Sequence, residues 1–244
     1  MSRVGRCILT HARHSDRLAI ANLNIIRFRA THSASPALNE SLVYPSPTSP
    51  HHNDLPSFLR YAERSRLDPK SPTYIGTHFE YVVGSSLSRL GFSLRRVGGS
   101  SDCGIDLLGV WSVPSSDRPL KVLVQCKSIR RPGPHLVREL EGAFVGAPPG
   151  WRGPCVLGLL VTDQPATKGI RDAIGRSRWP MGFVTCTRSG HLQQMLWNRR
   201  AEEEGLEGMG VGLRHAADGA EKQLVLSWKG SYVPWVEERS RQPG

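Results

Sequence analysis

The sequence has no apolar run of the length a bilayer demands. VLGLLV at 156–161 comes nearest and falls far short of about eighteen residues, so no spanning helix is predicted. Nor is there a continuous apolar h-region near the start, which argues against a secretory signal. The five cysteines, at 7, 103, 126, 155 and 186, are odd in number, scattered and never arranged as CxxC. That pattern supports neither a disulfide framework nor a zinc knuckle, and it predicts free thiols in a reducing compartment. No internal repeat is present. What remains, 39% apolar and 22% charged residues over 244 positions, suffices for one sizeable core with tails.

Acidic residues are scarcest where arginine is richest. The first 39 residues hold Arg3, Arg6, Arg13, Arg17, Arg27 and Arg29 against Asp16 alone, so this segment carries +5 of the formal net charge of +11. It has Ser and Arg but no Lys, and Ile8, Leu9, Leu18, Ile20, Leu23, Ile25 and Ile26 could line one face of an amphipathic helix. This is the composition of a mitochondrial presequence, read by the import machinery, and we place it over residues 1–32. A basic N-terminus without a targeting role is the alternative. The remaining +6 is a modest excess that favours a polyanionic partner.

Residues 33–57 are crowded with Ser, Pro and His and read as a linker. A core over 58–190 follows. LPSFLRYAERSRL reads as a short helix, and Pro72 separates it from a second helix running from Gly76 to Gly91 with Phe79, Val82 or Val83, Leu87 and Leu90 at helical spacing. FSLRRV, IDLLGVW and LKVLVQCK then form a strand meander. PHLVRELEGAFVG reads as a helix, CVLGLLVT as a buried strand, ATKGIRDAIGRS as a helix and MGFVTCT as a strand. The order predicts an α/β sandwich with a mixed sheet. Residues 191–244 are expected to add a helix over HLQQMLWNRRAEEE and a peripheral strand over QLVLSW.

One carboxylate, Asp106, stands in the otherwise apolar second strand, and Gln125–Cys126–Lys127 closes the third. Residues two apart on a strand share a face, so Gln125 and Lys127 project together. If these strands pair antiparallel, a carboxylate, an amide oxygen and an ammonium gather at one sheet edge. With the Cys126 carbonyl they offer hard oxygen donors suited to Mg²⁺ or Mn²⁺, beside a cation. Hydrolysis of a phosphodiester needs those parts.

The series GTHFEYVV, RRVGGSSDCGIDLLG, LVQCKS and VRELEGAF resembles the Mrr-like branch of the restriction-endonuclease-like superfamily, the P-D-(D/E)-x-K nucleases. Together with the Arg-rich leader it looks still more like the fungal mitochondrial proteins named for being required for respiratory growth. The resemblance covers about residues 74–187 and implies an αβββαβ core, matching the order read above. It implies that Asp106 binds metal, that Gln125 stands at the acidic position of the D/E-x-K triplet, that Lys127 is its lysine, and that Glu80 is the first-helix glutamate pointing toward the site. Gln125 departs from the superfamily pattern, and losing that charge weakens cation affinity.

Other readings stand beside these. Thr77 and Glu80 have capping-box spacing, and Asp106 could accept backbone N–H groups in the preceding turn, a role that suits Asp102 better. A cysteine nucleophile at Cys103 or Cys126 lacks recognisable partners, so structural thiols are expected there. Arg96, Arg130, Arg131 and Arg138, with Arg95 and His135 nearby, could form a phosphate-binding rim or a solvated surface. The sequence therefore predicts a mitochondrial, metal-dependent nuclease-like protein acting on nucleic acid, DNA before RNA. The alternative is a catalytically silent nucleic-acid-binding or scaffold protein with the same fold.

Overall fold

Residues 42, 44–45, 49–98, 104–215 and 222–236 are described by a computed structural model of the chain. All of them belong to the unit formed by residues 40–244. The expected leader, Asp102 and Cys103 lie outside the described residues, as does most of residues 33–48.

Helix α1, Leu55–Arg64, starts at Asp54, whose side chain accepts the Ser57 N–H at 2.7 Å while the Ser57 hydroxyl reaches back to the Asp54 N–H. Helix α2, Pro72–Ser88, is capped by Ser71, which accepts the Tyr74 N–H at 3.2 Å. Pro72 thus divides this helix from its predecessor, as expected, and itself opens it, four residues before the expected start at Gly76. A fixed φ and a missing N–H suit the first helical position, where that donor has no partner in any case. The Thr77–Glu80 capping box is therefore corrected: Thr77 is buried inside the helix. Gly91, at φ +92°, then turns the chain into the sheet.

Six strands form the main sheet in chain order: β1 Phe92–Arg96, β2 Leu107–Trp111, β3 Leu120–Lys127, β4 Val156–Thr162, β5 Met181–Cys186 and β6 Leu192–Trp197. The β1–β2, β2–β3 and β5–β6 pairs are antiparallel, while β3–β4 and β4–β5 are parallel. Helix α3, His135–Gly146, and helix α4, Lys168–Arg176, supply the two parallel crossovers. The expected mixed α/β sheet flanked by helices is present, with the predicted helix–three strands–helix–strand order.

Alternation along the strands sorts the core into two layers. Val122 and Val124 of β3 pack with Phe79, Val83 and Leu87 of α2. Leu123 faces the other way, with Leu136, Val137 and Leu140 of α3 and Ile170 of α4. Close approach of β1 requires Gly109, since a Cβ there would lie 1.9 Å from the Ser93 carbonyl oxygen. Leu42 and Tyr44, in the stretch read as linker, pack against the α3-side layer, the Tyr44 ring 5.1 Å from that of Trp151.

The helix expected over HLQQMLWNRRAEEE is corrected to β6 followed by a short helical turn, Arg199–Ala201, and a π-type turn, Glu202–Leu206. β6 satisfies the otherwise open edge of β5, and the buried Asn198 stops it. Its amide donates to the carbonyls of Ile174 and Trp179, and its oxygen accepts the N–H groups of Met181 and Ala201. The QLVLSW strand, β8 at Lys222–Trp228, lies at the centre of a second sheet between β7, Met209–His215, and β9, Ser231–Val233. Leu224 and Leu226 bury it on the α2 side of the main core. No helix among the described residues is long and apolar enough to cross a membrane.

Candidate functional site

Asp106 sits where the β2–β3 ladder gives way. One step beyond the Leu107↔Val124 pair, it neighbours Gln125. Its N–H donates to the Val124 carbonyl at 2.9 Å, and its own carbonyl accepts from Val97 and Gly98 at 2.8 and 2.9 Å. Its Oδ2 accepts the Cys126 N–H at 2.7 Å, replacing the main-chain acceptor an unbroken ladder would supply. The carboxylate thus accepts a backbone N–H from β3, whereas the turn from which the sequence reading drew such a donor lies mostly outside the described residues.

Gln125 is 2% exposed, and its Oε1 is buried without a hydrogen-bond partner among the described residues. Its Nε2 lies against Gly104, where an added Cβ would come within 3.1 Å at a φ of +77°. A buried acceptor left unpaired costs about 1–3 kcal/mol, so Gln125 is a poor choice for packing alone. The Cys126 N–H points toward Asp106, so its carbonyl points toward that same neighbour. Asp106 and the Gln125–Cys126 pair thus stand across the end of the β2–β3 ladder, and the donors they offer are a carboxylate, an amide oxygen and a main-chain carbonyl, hard oxygens with one negative charge. Their chemistry fits Mg²⁺ or Mn²⁺ held with modest affinity. No cluster of three or more His, Cys, Asp or Glu suited to a metal occurs among the described residues.

Lys127 and Glu80 fall on opposite faces. Lys127 shares the Gln125 face and reaches Glu139 of α3, Nζ to Oε2 3.3 Å, with side chains 37% and 46% exposed. Such an exposed pair is worth roughly 0–1 kcal/mol, so the ammonium is easily recruited elsewhere. Glu80 lies on the α2 face and holds Arg96 at 2.5 Å, both side chains nearly buried. Arg96 also stands over the Tyr81 ring at 5.7 Å. Removing either partner would strand a poorly solvated charge, so this pair holds firm where the Lys127 pair does not.

The Cys126 sulfur packs on the α2-side core. Burial first, then the carboxylates of Asp106 and Glu80 and the nearby Cys186, push its thiol well above the ordinary range, against a smaller opposing effect of Lys127. A thiol held neutral is no nucleophile, in agreement with the structural role expected of it.

Of the basic candidates, Arg130, Arg131 and Arg138 are exposed, the first two in the β3–α3 connection and the third on α3. Arg95 lies over the Tyr44 ring at 4.5 Å. Sequence reasoning missed Asp163 and Arg188, which join the loops after β3, β4 and β5. Their contact depends on the parallel crossovers, and no local motif announces it. A cavity of about 780 Å³ lies along the β1 edge, lined by Tyr44, His52, Glu80, Tyr81, Arg95 and Arg96 among others.

The family model described as Required for respiratory growth protein 7 matches residues 71–118 and 114–212, a span holding the main sheet and every candidate residue. An uncharacterised mitochondrial protein of Schizosaccharomyces pombe is 32% identical over 155 residues, 62% of this chain and 61% of the relative. The chain thus matches about three fifths of that relative's length. The relative and the family together place the protein in mitochondria. The chain belongs to the Required for respiratory growth protein 7 family.

Proposed function

We propose that this protein is a mitochondrial, metal-dependent phosphodiesterase of nucleic acid, DNA before RNA, serving respiratory growth through upkeep of the mitochondrial genome. One observation carries the reading: Gln125 Oε1 is buried and finds no hydrogen-bond partner among the described residues, on the strand position that neighbours Asp106 where β2 and β3 separate. Together with Lys127 this is the residue pattern that resembles the restriction-endonuclease-like nucleases of the Mrr branch.

Asp106, Gln125 and the Cys126 carbonyl would hold Mg²⁺ or Mn²⁺, which supplies an acidified water and charge neutralisation at the phosphate. The residues of the chain do the rest. The Cys126 N–H fixes the Asp106 carboxylate through Oδ2. Lys127, released from Glu139, donates hydrogen bonds that orient the attacking water and offset charge on the phosphoryl oxygens. Glu80 acts at one remove, keeping Arg96 fixed beneath β1.

The silent-binder reading is favoured by a different observation, namely that the donor set holds a single acid while Glu80 is committed to Arg96. Full-length protein and Lys127→Ala, incubated with duplex, single-stranded and branched DNA and with RNA, separate the two. Metal-dependent cleavage that chelator stops and Lys127→Ala abolishes supports the enzyme. Binding without cleavage by the wild type selects the silent binder. Gln125→Glu adds a ligand test: tighter Mn²⁺ binding by calorimetry is expected, and unchanged affinity removes Gln125 from the donor set.

A further inference from the structure

Strands β3, β4 and β5 run parallel and end side by side, with Lys127 beside Thr162 and Thr162 beside Thr185. The residues that follow them are tied together. Asp163, directly after β4, has a side chain 8% exposed. Its Oδ1 accepts the Ile129 N–H at 3.1 Å, and its Oδ2 accepts the Ser128 hydroxyl at 2.8 Å and the Arg188 Nε–H at 3.0 Å. Arg188, just past β5, also donates from Nη2 to the Ser128 hydroxyl at 2.9 Å.

A latch between loops accounts for Asp163, but only partly for Arg188. Its side chain is 60% exposed, and only two of the five N–H groups of a guanidinium find partners among the described residues. A buried carboxylate holding Nε fixes the plane of the guanidinium and leaves part of its outer edge facing solvent. A planar fork held in this way suits a phosphate oxygen pair, and little side-chain freedom remains to be lost on binding. The location agrees, because open α/β sheets hold ligands outside the carboxyl ends of their parallel strands. The same end carries Lys127, Arg130 and Arg131, and α3 adds Arg138. Among the described residues these cations pair only with the carboxylates of Glu139 and Asp163.

We propose that Arg188, oriented by Asp163, is a phosphate contact for a nucleic-acid backbone lying across the C-terminal ends of β3, β4 and β5. The proposal rests on the nucleic-acid reading above and extends its contact surface two strands beyond the candidate cleavage site, from β3 to β5. Arg188 is the contacting residue and Asp163 the positioning residue.

The test is fluorescence anisotropy of full-length protein with a labelled 20-base-pair DNA duplex, and with an RNA duplex of equal length, in EDTA over a NaCl series. Arg188→Gln is expected to weaken binding roughly tenfold and to lower the slope of log K against log salt by about one, the loss of one phosphate contact. Arg188→Lys restores the slope with incomplete affinity, because charge returns without the fork. Asp163→Asn weakens binding with the slope kept, since the cation stays but loses its orientation. Arg176→Gln, an exposed cation on α4, serves as the control. Thermal melts confirm that each variant is folded. Wild-type binding with an unchanged slope in Arg188→Gln, or a loss no larger than that of Arg176→Gln, overturns this proposal alone. No binding by the wild type overturns it together with the nucleic-acid reading.

Discussion

The Asp106 carboxylate accepts the backbone N–H of Cys126 across the β2–β3 boundary at 2.7 Å. One side chain therefore both ends a ladder and faces the candidate metal position. The two roles separate by substitution. Asp106→Asn keeps an oxygen acceptor and is expected to cost about 1 kcal/mol or less, while Asp106→Ala orphans the N–H and costs about 1–3 kcal/mol. Urea denaturation measures both. Only loss of the negative charge should abolish Mn²⁺ binding, so Asn and Ala are expected to be equally deficient there; equal stability of the two variants would refute the ladder role.

Gly109→Ala is expected to be among the most disruptive single changes in the main sheet. The new Cβ would meet the Ser93 carbonyl oxygen at 1.9 Å and the Leu94 Cα at 2.8 Å, both rigid backbone of β1. The edge strand must shift, at a cost of about 3 kcal/mol. Gly142, exposed within α3 with open space around it, is the counterpart. Gly142→Ala is expected to stabilise by about 0.5–1 kcal/mol. A pair of thermal melts shifting in the same direction would contradict this account.

Thiol reactivity follows burial. Desolvation lifts Cys186 to about 11 against smaller opposing effects of Ser86 and Arg89, and Cys126 is also pushed well up. Cys155 is exposed. At pH 8 only about a thousandth of a thiol with that pKa is thiolate. Iodoacetamide labelling followed by peptide mass spectrometry should show Cys155 modified at least about tenfold faster than Cys186 or Cys126. Comparable rates would show that the α2-side core opens readily.

Stability is expected to fall as the solution becomes mildly acidic. Nδ1 of His52 lies 2.7 Å from the Tyr81 hydroxyl, and burial, then Arg96 and His51, hold its pKa below 6.5. Burial lowers His78 as well. With folded values depressed, the unfolded chain binds more protons, so these histidines support stability fully above about pH 6.5 and progressively less below it. Melting temperatures from pH 8 to pH 5 should decline, and His52→Gln should flatten part of that decline. An unchanged slope in His52→Gln would remove His52 as a source.

Much of the main sheet was legible because its strands obey local rules. Val122, Leu123 and Val124 run as a continuous apolar stretch, which a strand between two helical layers requires. β6 was not legible: Leu192, Met195 and Leu196 satisfy a helical spacing as well as a strand, and the open edge of β5 decided between them. β7 was hidden by Gly210 and Gly212, which dilute strand propensity in a segment whose alternate residues Met209, Val211 and Leu213 are apolar.

The candidate site divides along the same line. By itself the sequence determined which residues stand two apart on β3 and which lone carboxylate precedes them, because strand period and composition are local. Tertiary structure decided that Asp106 spends an oxygen on Cys126, that Gln125 is buried with an acceptor unpaired among the described residues, that Glu80 belongs to Arg96, and that Asp163 binds Arg188. Each of these depends on which elements pack together across intervals of sixteen to twenty-five residues or more, a choice made by layer packing and crossover topology rather than by any short motif.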